Sequence, residues 1–222
     1  MFRRYVVPTD LIQKIPVFPL SGALLLPRGT LPLNIFEPRY IQMVDDAMRG
    51  DRLIGMIQPR IPEHLSAMPP LYDIGCVGRI TSYSETEDAR FLITLTGLCR
   101  FKIARELVAD TPYRQIEAQY EPFKDDLSPP EIPLEEDERA RLLGALKGYL
   151  TQQHMRADWE SIKNAPAEHL VNALAMICPF ETSEKQALLE APTLIARVET
   201  LIALISMSGG ETPTSDESGT LQ

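Results

Sequence analysis

Three histidines and three cysteines are the side chains from which a metal site or a nucleophilic centre would be built. His64, His154 and His169 are far apart and share no ligand spacing, whereas a metal site needs convergent donors. Cys76, Cys99 and Cys178 are odd in number, widely spaced and without a C-x-x-C pair, which argues against a disulfide framework or zinc. Each sits among small or apolar neighbours, as a buried reduced thiol does. The acid pairs Asp45-Asp46 and Asp125-Asp126 are adjacent in sequence. On a helix such neighbours diverge by about 100°, so they read as solvated charges rather than as a general acid and base facing one substrate. Ser21 and Ser66 lack a nucleophile motif. There is no G-x-x-x-x-G-K-[ST] loop for nucleotide phosphates, no G-x-S-x-G elbow and no H-E-x-x-H. The expectation is no catalytic residue, no cofactor and no metal.

The elements that would position any binding residues change character along the chain. The first half holds short apolar runs broken by proline and glycine. Ile15 to Leu20 reads as extended, Ala23 to Leu26 as a short strand, and Thr30 to Ile35 as another with Pro32 suited to an edge. Pro38 to Met48 places Tyr40, Met43, Val44 and Ala47 at helical spacing. Arg49-Gly50 would end that helix, the glycine as a left-handed cap. Strands follow over Leu53 to Gln58, Gly75 to Tyr83, Phe91 to Thr96, Leu98 to Leu107 and Tyr113 to Pro122, with Gly97 a turn or bulge and proline-rich 59–71 a loop. Residues 124–134 read as a linker. Helices are then expected over Glu135 to His154, from Asn164 to Pro179, from a Ser183-x-x-Gln186 capping box, and over Thr193 to Met207. Residues 208–222 read as a disordered tail.

Composition narrows the class. The chain has 222 residues and a net charge of −9. Residues 1–123 hold 14 basic and 14 acidic groups, so the whole excess lies in 124–222, with 8 basic against 17 acidic. No basic cluster is available to neutralise phosphates, which argues against nucleic acid as a partner. No apolar run reaches the roughly 18 residues of a membrane span, and Met1 to Tyr5 is followed by no signal-peptide core, so a cytoplasmic protein without membrane contact is expected.

One stretch is specific. Ile15-Pro-Val-Phe-Pro-Leu20, Leu25-Leu-Pro-Arg-Gly29 and Leu31-Pro-Leu-Asn-Ile-Phe-Glu-Pro-Arg-Tyr40 with Met43-Val44 closely resemble the opening of the LON domain. That is the N-terminal substrate-recognition region of ATP-dependent Lon proteases, which also occurs in standalone proteins. Asp73-Ile-Gly-Cys-Val-Gly78 and Leu95-Thr-Gly-Leu-Cys-Arg-Phe101 match its later pattern, and Pro166 to Ile205 resembles the helical bundle that follows. The resemblance implies an α+β fold, a PUA-like, mostly antiparallel β-barrel followed by a C-terminal α-helical bundle. The expected organisation is a LON-type β subdomain at 13–123, the linker at 124–134, the bundle at 135–207 and the tail at 208–222.

The matching residues are Pro19, Leu20, Pro27, Pro32, Leu33, Phe36, Glu37, Arg39, Tyr40, Met43, Gly75, Gly78, Gly97, Arg100 and Phe101. They are expected to be mainly structural: Phe36 fills the core, Tyr40 and Met43 pack the helix on the barrel, and Glu37 and Arg39 pair. Peptide contacts would come from loop residues, with Met56, Ile61, Leu65, Met68 and Leu71 as candidates, since loops carry binding and methionine adapts to varied apolar partners. Lon proteases continue into ATPase and Ser-Lys protease modules, whereas this chain ends at Gln222, so neither activity is expected of it. The resemblance implies a non-catalytic binder of unfolded or degron-bearing polypeptide, an adaptor or chaperone-like module, with a separate AAA+ protease as a partner. The alternative is a nucleic-acid or nucleotide binder through the PUA-like barrel, by analogy of fold.

Overall fold

The computed structural model describes residues 5–61, 68–128, 134–152 and 158–208. Six strands are followed by the helical half: β1 Lys14–Pro19, β2 Thr30–Ile35, α1 Pro38–Arg49, β3 Leu53–Ile57, β4 Ile74–Glu85, β5 Phe91–Leu107, β6 Gln115–Gln119, then α2 Glu136–Gln152, α3 Trp159–Asn164, α4 Ala167–Ile177, α5 Thr182–Glu190 and α6 Leu194–Ser208. The order β2-β5-β4-β3-β1-β6 closes on itself because β6 also pairs with β5. Five strands therefore form a ring, antiparallel except where β1 runs parallel to β3, and β2 hangs outside it on β5. The fold is α+β, as expected.

The ring closes because β5 is one strand of 17 residues, not two. Its first part, Phe91 to Thr96, lies between β2 and β4, and its last part, Lys102 to Leu107, pairs with β6. The pairing with β4 jumps from Val77–Cys99 to Gly78–Gly97, so Gly97 marks a bulge within the strand. A Cβ at Gly97 would stand 2.1 Å from the Leu26 carbonyl oxygen. The backbone that presses there is Leu24 to Leu26, which was expected to be a strand. It is instead an irregular buried segment whose three leucines plug the core.

The apolar spacing of α1 buries Tyr40, Met43, Val44 and Ala47 against the sheet. Its end differs from expectation. Gly50 has φ −110°, and the left-handed residue is Arg52 at φ 62°, whose amide reaches the Ala47 carbonyl. The first part of the expected linker is a 3-10 helix over Glu121–Leu127. The capping box of α5 lies two residues upstream of the expected one: the Glu181 amide donates to the Glu184 carboxylate. The expected tail from 209 onward lies outside the described residues.

Two cores result. Ile15, Val17, Val77, Phe101, Ile116 and Tyr120 fill the ring interior. A larger core runs from α1 and the leucine segment through β2 and β5 into α2, α4, α5 and α6. Burying a large aliphatic or aromatic side chain contributes about 1.5–3 kcal/mol, so this shared core is the main force holding helices to strands.

Candidate functional site

Where β5 turns back into β6, the connection Val108 to Arg114 rises beside the start of α1 and the end of β1. Between them lies a groove of about 770 Å³, lined by Pro19, Arg39, Tyr40, Pro59, Met68, Pro69, Leu107, Val108, Pro112 and Tyr113 among others. Prolines and aliphatic side chains make up about half of its lining, and Ser21, Arg39, Glu106, Thr111 and Arg114 add polar groups among them. Val108 is fully exposed at the rim and Met68 is 62% exposed. Apolar surface held open in this way attracts an apolar partner.

The groove is braced by polar contacts along its edges. Arg114, almost covered, holds both carboxylate oxygens of Glu106 at 2.6 and 2.7 Å and donates to the Pro69 carbonyl at 2.6 Å. This joins the β5–β6 connection to Pro69. The Tyr113 hydroxyl donates to Asp46 of α1 at 2.9 Å. Burial, and then that carboxylate, push its pKa up to about 12. Asp46 is thus a wall support as well as a partner of Arg49, not merely the solvated charge expected. Arg39 donates to Glu37 at 2.9 Å and lies over the Tyr40 ring at 4.5 Å. Burial of Tyr40 raises its pKa.

The predicted residues divide. Of the four expected peptide contacts among the described residues, Met68 alone lines the groove. Ile61 is exposed but does not line the groove, and Leu65 lies outside the described residues. Met56 is not a loop residue: it is 2% exposed inside β3. Leu71 is buried and bridges to Pro59. Phe36 was expected in the core and is 62% exposed, because it follows the last paired residue of β2 on the outward side. Tyr40 and Met43 are buried, and Glu37 pairs with Arg39. Pro19, Arg39 and Tyr40 come together at the groove, whereas Pro27, Gly75, Gly78, Gly97, Arg100 and Phe101 serve the interior. Leu20 and Leu33 are partly buried against the larger core, and Pro32 is exposed on edge strand β2.

Sequence reasoning missed the β5–β6 connection. The available signal was Leu107-Val108-Ala109 together with Pro112, an apolar run at a hairpin tip where polar turn residues are the rule. It also missed Asp126, expected to be solvated. Asp126 is buried, and Arg100 grips both its oxygens at 2.9 Å. Among the described residues, no group of three His, Cys, Asp or Glu side chains could hold a metal ion, and no helix is long and apolar enough to cross a membrane.

Comparison with known proteins places this geometry. A model of the ATP-dependent protease La (LON) substrate-binding domain matches residues 14–207. Lon protease 2 of Myxococcus xanthus is 28% identical over 207 residues, covering 89% of this chain and 24% of that protein. The Lon protease of Anaeromyxobacter dehalogenans is 28% identical over 201 residues, covering 89% of this chain and 23% of that protein. The chain thus spans about a quarter of the length of these relatives. Among solved structures, a Lon N-terminal domain protein from Xanthomonas campestris superposes with a TM-score of 0.61 at 23% identity, covering 86% of this chain and 98% of that one. The N-terminal domain of the Mycobacterium avium complex Lon protease gives 0.61 at 17% identity, covering 87% and 98%.

Proposed function

The chain belongs to the ATP-dependent protease La (LON) substrate-binding domain family, and on that premise we propose that it is a non-catalytic module whose groove takes extended, unfolded or degron-bearing polypeptide. The observation that carries this reading is the open apolar groove of about 770 Å³ at the mouth of the ring, walled by Met68, Leu107, Val108 and Pro112. Such a surface suits a chain segment stripped of its own fold. It offers apolar area without a cluster of groups that would attack a bond.

The match lies in the substrate-binding domain, so ATP hydrolysis and peptide cleavage are left to the relatives named Lon protease. In this reading the module works in the cytoplasm as an adaptor or chaperone-like factor, and delivers clients to a separate AAA+ protease.

The test is fluorescence anisotropy of dye-labelled apolar peptides titrated with the full chain, beside light scattering of an aggregating model protein. Saturable binding with slower aggregation is expected. An absence of binding to any apolar peptide would overturn the proposal.

A further inference from the structure

The groove does not stop at its rim. A second, shallower depression is lined by Gln13, Lys14, Arg105, Glu117 and the same Glu106-Leu107-Val108 stretch that walls the groove. The two concavities meet across Val108. One lies at the ring's mouth and the other on its outer wall.

The outer wall has a definite charge. Lys14 on β1 stands opposite Glu117 on β6, and Glu117 stands opposite Arg105 on β5. Lys102, three residues before Arg105 on β5, pairs in register with Gln119 and is exposed. Glu117 already holds Arg105 at 2.6 Å. Three cations against one carboxylate leave this wall at net +2, in a chain whose total is −9. Glu106 adds nothing to it, because Arg114 takes both its oxygens.

We propose that the binding site extends over the Val108 rim onto this wall, and that it prefers an apolar segment followed by acidic residues. The inference rests on the groove's being a polypeptide site. From Val108 to Arg105 is three residues of strand, about 10 Å at 3.3 Å per residue. An extended peptide whose apolar part fills the groove therefore brings a carboxylate over the Lys14–Glu117–Arg105 row about three residues beyond the rim. Exposed charge pairs are individually weak, so the gain is a bias in selection rather than the main source of affinity.

The test uses the full chain and labelled peptides that share one apolar stretch and differ three residues beyond it, on either side, in Asp, Asn or Lys. The Asp peptide should bind about threefold more tightly than the Asn peptide at low salt, the Lys peptide more weakly, and the differences should vanish at high salt. The double variant K14E/K102E should reverse the order of the Asp and Lys peptides. If all peptides bind equally, the extension is wrong and the groove reading survives. If none binds, both fall. If a single-stranded RNA oligomer binds the wild type and is lost from K14E/K102E, while the peptides show no preference, the wall serves nucleic acid and the proposal is overturned.

Discussion

All eight buried polar side chains among the described residues stand at the seam between the strand ring and the helices, whereas the groove at the ring's mouth is walled by prolines, Met68, Leu107 and Val108 with its charges paired off at the edges. At the seam, Arg100 takes Asp126 with one part of its guanidinium and donates to the Leu189 and Ala191 carbonyls with another. Arg197 donates to the Leu188 carbonyl and to Asn172, which in turn reaches the Pro27 carbonyl. The Leu188, Leu189 and Ala191 carbonyls lie at the C-terminal end of α5, where no further helical N–H is available to them. The negative end of the helix dipole helps to balance two buried arginines, of which Arg100 is the one paired with Asp126. Burial and the neighbouring Arg100 charge still lower the Arg197 pKa to about 10. Lys185 donates to the Gly22 carbonyl at 2.7 Å, and Gln58 to the Thr182 carbonyl at 3.1 Å. The contrast separates two jobs. Buried donors aimed at particular carbonyls fix one orientation of helices on ring, while an apolar trough with few fixed partners tolerates many occupants.

The sharpest way to break the comparison is at Asp126. Asp126→Ala leaves the Arg100 guanidinium buried without its carboxylate, and should cost about 3–5 kcal/mol in urea unfolding. Replacing both partners, R100M with D126L, should cost less than D126A alone, because no buried charge is then stranded. If D126A cost under about 1 kcal/mol, the seam would owe its order to apolar packing alone. Next comes Gly97. Ala at that position would drive its Cβ into the Leu26 carbonyl, and both are backbone-fixed. A loss of about 2–3 kcal/mol is expected by the same measurement.

These two residues also show what was legible in the sequence. Strand and helix order followed from apolar spacing and from proline and glycine punctuation, since both report local backbone geometry. Gly97 was readable as a turn or a bulge for the same reason. That β5 continues through it was not, because continuity depends on the second partner, β6, taking over where β4 leaves off. Asp126 looked like one of two acids in a proline-rich linker. Its role is set by Arg100, 26 positions away, and nothing local encodes that distance. The groove was partly legible: Met68, Arg39 and Tyr40 were singled out, but for different reasons and never as neighbours. Phe36 was misplaced because an apolar residue at the end of a strand reads as core unless the last paired position is known.

Tyr113 joins the two regions, lining the groove and tying it to α1, so Tyr113→Phe sharpens the boundary between them. Losing the bond to Asp46 should cost about 1.5 kcal/mol at neutral pH. The pH dependence has a fixed sign. The folded state holds the phenol proton above the ordinary 10.0, up to about 12. The stability this gives is whole below pH 10 and is lost as pH rises towards 12, where the unfolded chain has already released its proton. Urea titrations should therefore show a shallower alkaline decline for Y113F than for wild type, reduced rather than abolished, since Tyr120 is raised by burial as well.

The smallest change in stability is expected at the rim. Val108 is fully exposed and its side chain supports nothing beneath it, so Val108→Ser should alter unfolding by no more than about 0.5 kcal/mol. Binding should respond differently. An apolar peptide crossing the rim covers that valine, and removing its methyl groups forfeits about 1 kcal/mol of burial, or roughly fivefold in affinity. Asp126→Ala should do the reverse: at a temperature where it remains folded, its peptide affinity should match wild type, because neither Asp126 nor Arg100 lines the groove. Equal losses of affinity in both variants would mean that groove and seam are one cooperative unit, with the trough open only while the helices are held in register.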